Sequence, residues 1–405
     1  MKSSAVVGLV LAVVFAGCGG DVVRSGSPGD GGAGSSSGNS GSSSGGVTSS
    51  SGGSGGTSSS GTSGSSSGAS GSSSGTSGSS SGSDGCPSGE TMCNGACQAG
   101  QCLVTIATGY DAVGIAVDST SVYWTVGAAA SGGAQPSGSV MKMPSAGGTA
   151  TALASGQSMA CAIAVDAASV YWTNRGTAAN NLTDGSVMRV PINGGSPATL
   201  AAQQVNPQSI AVDASNVYWV SGQTLMEMPV GGGTAIALAS PQAPINAIAV
   251  SAKSVYFTTG SGPGALMSVP IGGGAPITLN SDASMPTAVA VTAANVYWTS
   301  ASEGQSFLYT LPLGGGNPTL SAGDKTGGIA SLAVDKTSIY WTAIGNSQES
   351  SALFSALQAP PAPGIDTVLL QGAALQFPYS PIALAVDDTS LYYIGGSAVN
   401  KLTPK

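Results

Sequence analysis

Val122-Tyr123-Trp124-Thr125 is the first of seven closely similar tetrapeptides in this chain. The others are Val170-Tyr171-Trp172-Thr173, Val217-Tyr218-Trp219-Val220, Val255-Tyr256-Phe257-Thr258, Val296-Tyr297-Trp298-Thr299, Ile339-Tyr340-Trp341-Thr342 and Leu391-Tyr392-Tyr393-Ile394. All five tryptophans of the 405 residues occupy one position of this repeat. A repeat of about 40–50 residues written in strand signals alone specifies a β-propeller, one four-stranded blade per repeat. The expected fold is all-β: a seven-bladed β-propeller of four-stranded antiparallel blades.

Working outward within a repeat, the tetrapeptide is preceded by a small apolar strand a ending in Ala-Val, as in Ala116-Val117, Ala164-Val165 and Ala385-Val386. Small side chains suit strands that crowd round an axis. The a–b turn carries Asp118, Asp166, Asp213, Asp335 and Asp387, with Ser251 and Thr292 in the two remaining repeats. Short polar side chains bond the local backbone in such turns, so these residues read as turn formers, not as a carboxylate ring for a metal. In strand b the tyrosine and the following ring point to opposite faces, each toward a different neighbouring blade. Strand c ends in proline, for example Val140 to Pro144, and Gly-rich c–d turns such as Gly147-Gly148 follow. Strand d is expected over segments such as 149–153 and 235–238. The seventh repeat supplies only strands a to c. The segment Leu103-Val104-Thr105-Ile106-Ala107 is expected to add the missing strand d, a 3+1 closure that removes an exposed edge.

In this layout the a–b and c–d turns share one face, the hairpin face, and the b–c and d–a loops share the other, the loop face. Loops that vary on a rigid scaffold are where recognition usually resides. Tyr110, Asp111, Asn206, Gln208, Asn246, Met285, Asp324, Lys325, Phe377 and Tyr379, all on d–a connections, are therefore the expected ligand-binding face. They converge on the mouth of the axial channel.

Toward the N-terminus, Met1-Lys2 and the apolar run Ala5 to Ala16 read as a signal peptide over residues 1–17. Val14-Phe15-Ala16-Gly17-Cys18 resembles a bacterial lipobox, which implies acylation of Cys18 and a membrane-tethered chain. Residues 18–85 form the acylated N-terminus and linker. From Ser25 to Gly85, 50 of 61 residues are Ser or Gly. With nothing to bury, this segment is expected to be a disordered stalk, spanning about 40–47 Å root-mean-square. Residues 86–102 form a collar with Cys86, Cys93, Cys97 and Cys102. In an exported chain four such thiols read as two disulfides more readily than as a zinc site, with three pairings open. Cys161, beside an apolar strand, is then left as a buried free thiol. The propeller occupies residues 103–405.

The chain carries 10 basic and 18 acidic residues and no histidine. Without basic clusters it does not suit nucleic acid. Without histidine it can host no Ser-His-Asp triad. No cofactor or metal motif is present in the sequence.

The tetrapeptide makes residues 103–405 resemble the YWTD propellers of low-density lipoprotein receptors, and the Cys-rich collar after a Ser/Gly stalk resembles surface lipoproteins of myxobacteria. The YWTD resemblance implies a protein-binding module, although the residue after Tyr-Trp-Thr is Val126, Asn174, Ser300 or Ala343, never Asp, and those receptors have six blades. Streptogramin lyases resemble the chain in layout but use an essential histidine. The sequence thus suggests a lipid-anchored, monomeric, non-catalytic recognition module for protein or glycan at the bacterial envelope. Alternatives are a carboxylate- or metal-dependent hydrolase or lyase at the channel mouth, and a passive structural envelope protein.

Overall fold

The computed structural model describes residues 14–15, 90–93, 96–99, 101–127, 138–241, 243–260, 262–302, 305–324, 327–345, 352–358, 367–371 and 383–405. Two short elements precede the repeats: strand β1 (Val14–Phe15) and a hairpin of β2 (Glu90–Cys93) and β3 (Ala96–Ala99). The repeats follow as seven four-stranded antiparallel sheets. Blade 1 is β5 (Ala112–Val117), β6 (Ser121–Val126), β7 (Gly138–Pro144) and β8 (Thr151–Gln157). Blade 2 is β9 (Ala160–Val165), β10 (Ser169–Asn174), β11 (Gly185–Pro191) and β12 (Ala198–Gln204). Blade 3 is β13 (Ile210–Val212), β14 (Asn216–Ser221), β15 (Thr224–Pro229) and β16 (Ile236–Ala239). Blade 4 is β17 (Ile245–Val250), β18 (Ser254–Thr259), β19 (Pro263–Pro270) and β20 (Ile277–Ser284). Blade 5 is β21 (Val289–Val291), β22 (Asn295–Ser302), β23 (Gln305–Pro312) and β24 (Thr319–Asp324). Blade 6 is β25 (Gly327–Val334), β26 (Ser338–Gly345), β27 (Ala352–Leu357) and β28 (Thr367–Gln371).

Blade 7 closes as the sequence predicts. Its strands are β29 (Ala383–Val386), β30 (Leu391–Gly395), β31 (Ala398–Thr403) and, from the far end of the repeat array, β4 (Cys102–Thr108). Leu402 lies opposite Leu103 and Lys401 opposite Val104. The inner strands touch in sequence from β5 through β9, β13, β17, β21 and β25 to β29, and β29 returns to β5, so the sheets form a closed ring. The outer strands sit one to two residues later than expected: β8 begins at Thr151 and β16 at Ile236. The preceding residues are taken up by the turn, where Gly147 donates its N–H to the Pro144 carbonyl at 2.9 Å and Gly148 has φ 133°.

The core lies between blades. Trp124, Trp172, Trp219, Trp298 and Trp341 are fully buried, as are Tyr123, Tyr171, Tyr218, Tyr297 and Phe257. The indoles are accommodated in three ways. Trp172 and Trp219 donate their Nε1–H to Gln157 (3.0 Å) and Gln204 (2.8 Å), each at the end of the preceding blade's strand d. Trp298 and Trp341 stack on strand-c rings, Tyr309 at 5.4 Å and Phe354 at 5.5 Å. Trp124 meets the edge of Tyr110 at 5.5 Å, and its Nε1 has no partner. Close approach of blades 1 and 2 requires Gly114, where an added Cβ would stand 2.5 Å from the Cys161 carbonyl oxygen.

The linker, residues 18–85, and Cys18, Cys86, Lys325, Phe377 and Tyr379 lie outside the described residues.

Candidate functional site

The two faces of the ring use their polar residues differently. On the hairpin face, all seven a–b turns close with the same backbone bond, from the N–H of Asp118, Asp166, Asp213, Ser251, Thr292, Asp335 or Asp387 to the carbonyl three residues on. In the five aspartate blades, Oδ1 accepts the backbone N–H groups two and three residues later. Oδ2 accepts the hydroxyl of the strand-b tyrosine: Asp118–Tyr123, Asp166–Tyr171, Asp213–Tyr218 and Asp387–Tyr392 at 2.8 Å, and Asp335–Tyr340 at 3.0 Å. The five aspartates are thus turn formers, as the sequence suggests, and each also holds its own blade's tyrosine.

Burial pushes the Asp118 carboxyl up, but bonds from Thr120, Tyr123 and Ser121 outweigh it and leave it below the ordinary value of 3.8. Burial and the bond to Asp166 push the Tyr171 hydroxyl up to about 12, so it remains a donor at neutral pH. Each of these carboxylates thus accepts two backbone N–H groups and one tyrosine hydroxyl from its own blade.

A second layer ties one blade to the next. Lys142 on β7 donates to the Ile192 carbonyl (2.7 Å), Arg189 on β11 to that of Val230, and Lys401 on β31 to that of Ser145 (2.8 Å). At the matching place on β15, Glu227 is only 5% exposed and accepts the Gly272 N–H at 3.1 Å. Lys142 and Lys401 also lie over the Tyr123 and Tyr392 rings. Four charged side chains, Lys142, Arg189, Lys401 and Glu227, are thus spent on joining blades.

On the loop face, the sequence-derived residues separate into three groups. Tyr110 packs against Trp124, Asn206 accepts the Arg175 Nε–H at 2.7 Å, and the Gln208 carbonyl lies 3.6 Å from Cys161 Sγ. Asn246 donates to the Gly260 and Pro286 carbonyls at 2.7 and 2.6 Å, joining adjacent blades. Of these four, Tyr110, Asn206 and Asn246 are structural ties. Asp111 and Met285 are exposed, Met285 by 49%. The backbone of Asp324 pairs with Ser306 at the end of β24.

Residues that sequence reasoning did not single out complete this face. Exposed Val205 precedes Asn206, whose φ is 43°, and Met285 itself has φ 44°. Leu182, at φ 58°, lies in the b–c loop of blade 2 and accepts the Asn206 N–H through its carbonyl at 2.7 Å. That loop is held by Asp184, whose carboxylate accepts from the Thr177 N–H and hydroxyl and from Asn180. These bonds hold it down at about 2. Among the described residues, no group of three or more His, Cys, Asp or Glu side chains is set to hold a metal, and no helix is long and apolar enough to cross a membrane.

One expectation is corrected here. Cys161 is fully buried but is not a free thiol: it is disulfide-bonded, as is Cys102. The apolar flanks of Cys161 fit a hydrophobe and a bridged half-cystine equally well, so burial could not separate the two.

No protein-family model matches the chain, and no curated protein matches it in sequence. Solved structures do resemble it. A catalytically inactive virginiamycin B lyase from Staphylococcus aureus with quinupristin aligns with TM-score 0.56 and 13% identity, over 75% of this chain and 99% of that one. A chain of the mitotic checkpoint complex aligns with TM-score 0.55 and 11% identity, over 75% and 93%. A chain of a nidogen/laminin complex aligns with TM-score 0.43 and 18% identity, over 53% and 83%. At these identities the first two likenesses are of architecture. The chain is a β-propeller.

Proposed function

We propose that the chain is an exported, lipid-anchored propeller of the YWTD type that presents its loop face for recognition of protein or glycan at the bacterial envelope. The observation that carries this reading is Met285: an apolar side chain, half exposed, on a left-handed backbone anchored by its N–H to the Gly262 carbonyl at 3.2 Å. A non-glycine residue held in that conformation costs about 1 kcal/mol or more, and such strain tends to gather where a surface presents a side chain. Exposed Val205 and Asp111 add an apolar and an acidic contact on the same face. The anchor rests on the Cys18 lipobox and the Ser/Gly linker.

A lyase reading borrows from the virginiamycin B lyase likeness, but a mechanism built on histidine has no counterpart in a chain without one. The hairpin-face carboxylates are occupied by tyrosine hydroxyls and backbone donors, which leaves them poor general acids or bases.

The test compares the full chain with a triple variant, Asp111→Ser, Val205→Ser and Met285→Ser, on immobilised envelope glycans and in pull-down from envelope extract. A ligand retained by the parent and lost by the variant supports the reading. Equal retention by both, or none by either, defeats it.

A further inference from the structure

The inner strands each pair on one side with their own strand b and turn the other edge to the axis. An unpaired strand edge is a row of donors and acceptors ready for another strand. The edge of β25 is not bare. Val14 and Phe15 of β1 pair antiparallel with it, Val14 opposite Leu332 and Phe15 opposite Ser331, and β1 also neighbours β17 and β29. Contact with the inner strands of three blades places this backbone in the axial channel. The seven inner strands around this segment, reading AVGIAV, ACAIAV, IAV, INAIAV, VAV, GGIASLAV and ALAV, contain no charged residue. A charged side chain drawn among them would lose its water without gaining a partner. The run from Ala5 to Ala16 is likewise uncharged.

We propose that the axial channel is a strand-addition site for an extended, uncharged, apolar peptide, with the inner edge of β25 as its rail and the chain's own segment at Val14–Phe15 as first occupant. Backbone hydrogen bonds to β25 supply the affinity, and the charge-free wall supplies the selection, as in other cases of strand addition to a sheet edge. On the proposed reading, in which residues 1–17 are removed as a signal peptide, the processed chain lacks that occupant and its rail is open to a peptide supplied in trans. The site is distinct from the loop-face residues, and either can operate without the other.

Hydrogen exchange on the unprocessed full chain, made by cell-free synthesis, tests this. Val14→Pro with Phe15→Pro should reduce amide protection over residues 327–334 about tenfold while leaving β14 and β22 unchanged, because strand pairing is what protects an edge amide. A free peptide of residues 9–16 with a lysine tail beyond the paired stretch should restore the protection. The same peptide N-methylated at alternate residues, equal in apolarity but unable to pair on that edge, should not. Unchanged protection in the double-proline chain, or equal rescue by both peptides, overturns the proposal. Should the prolines lower protection in every blade, the processed chain beginning at Cys18 takes the same two peptides. Protection by the unmodified one alone then supports the site, and any other result overturns it.

Discussion

The hairpin face and the loop face of this ring contain similar residue types and use them oppositely. On the hairpin face, aspartate, lysine and arginine recur at fixed places in the repeat and end in fixed bonds: carboxylate to tyrosine, cation to the next blade's carbonyl. On the loop face, polar residues follow no repeat, yet Asn206 and Asn246 turn out to be ties as well, while Asp111 and Met285 are left open. The lesson is that position on a variable loop does not by itself mark a residue for binding. What marks it is having no partner within the ring.

The comparison can be broken most severely at the closure. Ending the chain at Gly396 removes β31 and leaves β4 without its neighbour, and we expect the single cooperative unfolding transition in guanidinium to be lost. A transition with an unchanged midpoint would mean the hairpin face does not depend on closure. Next in size is Lys405→Met. Lys405 pairs with Asp335 at 2.6 Å, with side chains only 12% and 7% exposed, and also donates to the Asp387 carbonyl. Breaking a buried pair costs up to 3–5 kcal/mol, and we expect about 2 kcal/mol because Thr337, Ser338 and Tyr340 still serve Asp335. Lys336→Met, whose partner Asp388 is 79% exposed, should cost under about 0.5 kcal/mol. Urea midpoints of the two variants decide it.

Tyr123→Phe removes one donor from Asp118 and should cost about 1–2 kcal/mol at pH 7. The sign of its pH dependence follows from the depressed carboxyl. Its contribution is present above the unfolded value near 3.8 and is lost as pH falls through the lower folded value, so parent and variant should converge in acid. Tyr256→Phe, in the blade whose a–b turn carries Ser251 in place of aspartate, should show no such convergence. In the core, Trp219→Phe forfeits the bond to Gln204, whereas Trp124→Phe forfeits none, and thermal melts should separate the two by about 1 kcal/mol. The smallest effect is on the open loop face. Asp111→Ser and Met285→Ser should each move stability by no more than about 0.5 kcal/mol. A larger loss would make these two ties like their neighbours.

Most of the fold can be read in the sequence because a blade announces itself locally. The tetrapeptide fixes strand b, the Ala-Val pair fixes strand a, and Pro followed by glycine fixes the end of strand c. Leu103 to Ala107 could be assigned to blade 7 by counting strands alone, and the structure pairs it there. The Asp–Tyr clamp was also written in the repeat, as a constant spacing of five that disappears in the blades with Ser251 and Thr292. The ties between blades were not. Asn246 reaches Pro286 and Lys142 reaches Ile192 only once the ring brings together residues 40 to 50 positions apart. The bridging of Cys161 is similarly long-range, and no local pattern distinguishes a buried thiol from a buried half-cystine.

The closure of blade 7 has a consequence for the order of events in folding. β4 precedes every other strand of the ring in the chain, and its sheet neighbour among the described residues, β31, follows them all. In a chain made from its N-terminus, β4 waits through about 290 residues for a partner, the largest loop this architecture can impose, and contacts so distant in sequence form slowly. Until then the blade 7 interfaces with blades 1 and 6 are incomplete, and the apolar flanks of Trp124 and Tyr340, which pack against blade 7, are only partly covered. The interval before the last strand arrives is therefore the period of greatest risk of association between chains. A substitution that delays β31 should reduce the yield of folded protein more than it lowers the stability of the finished ring.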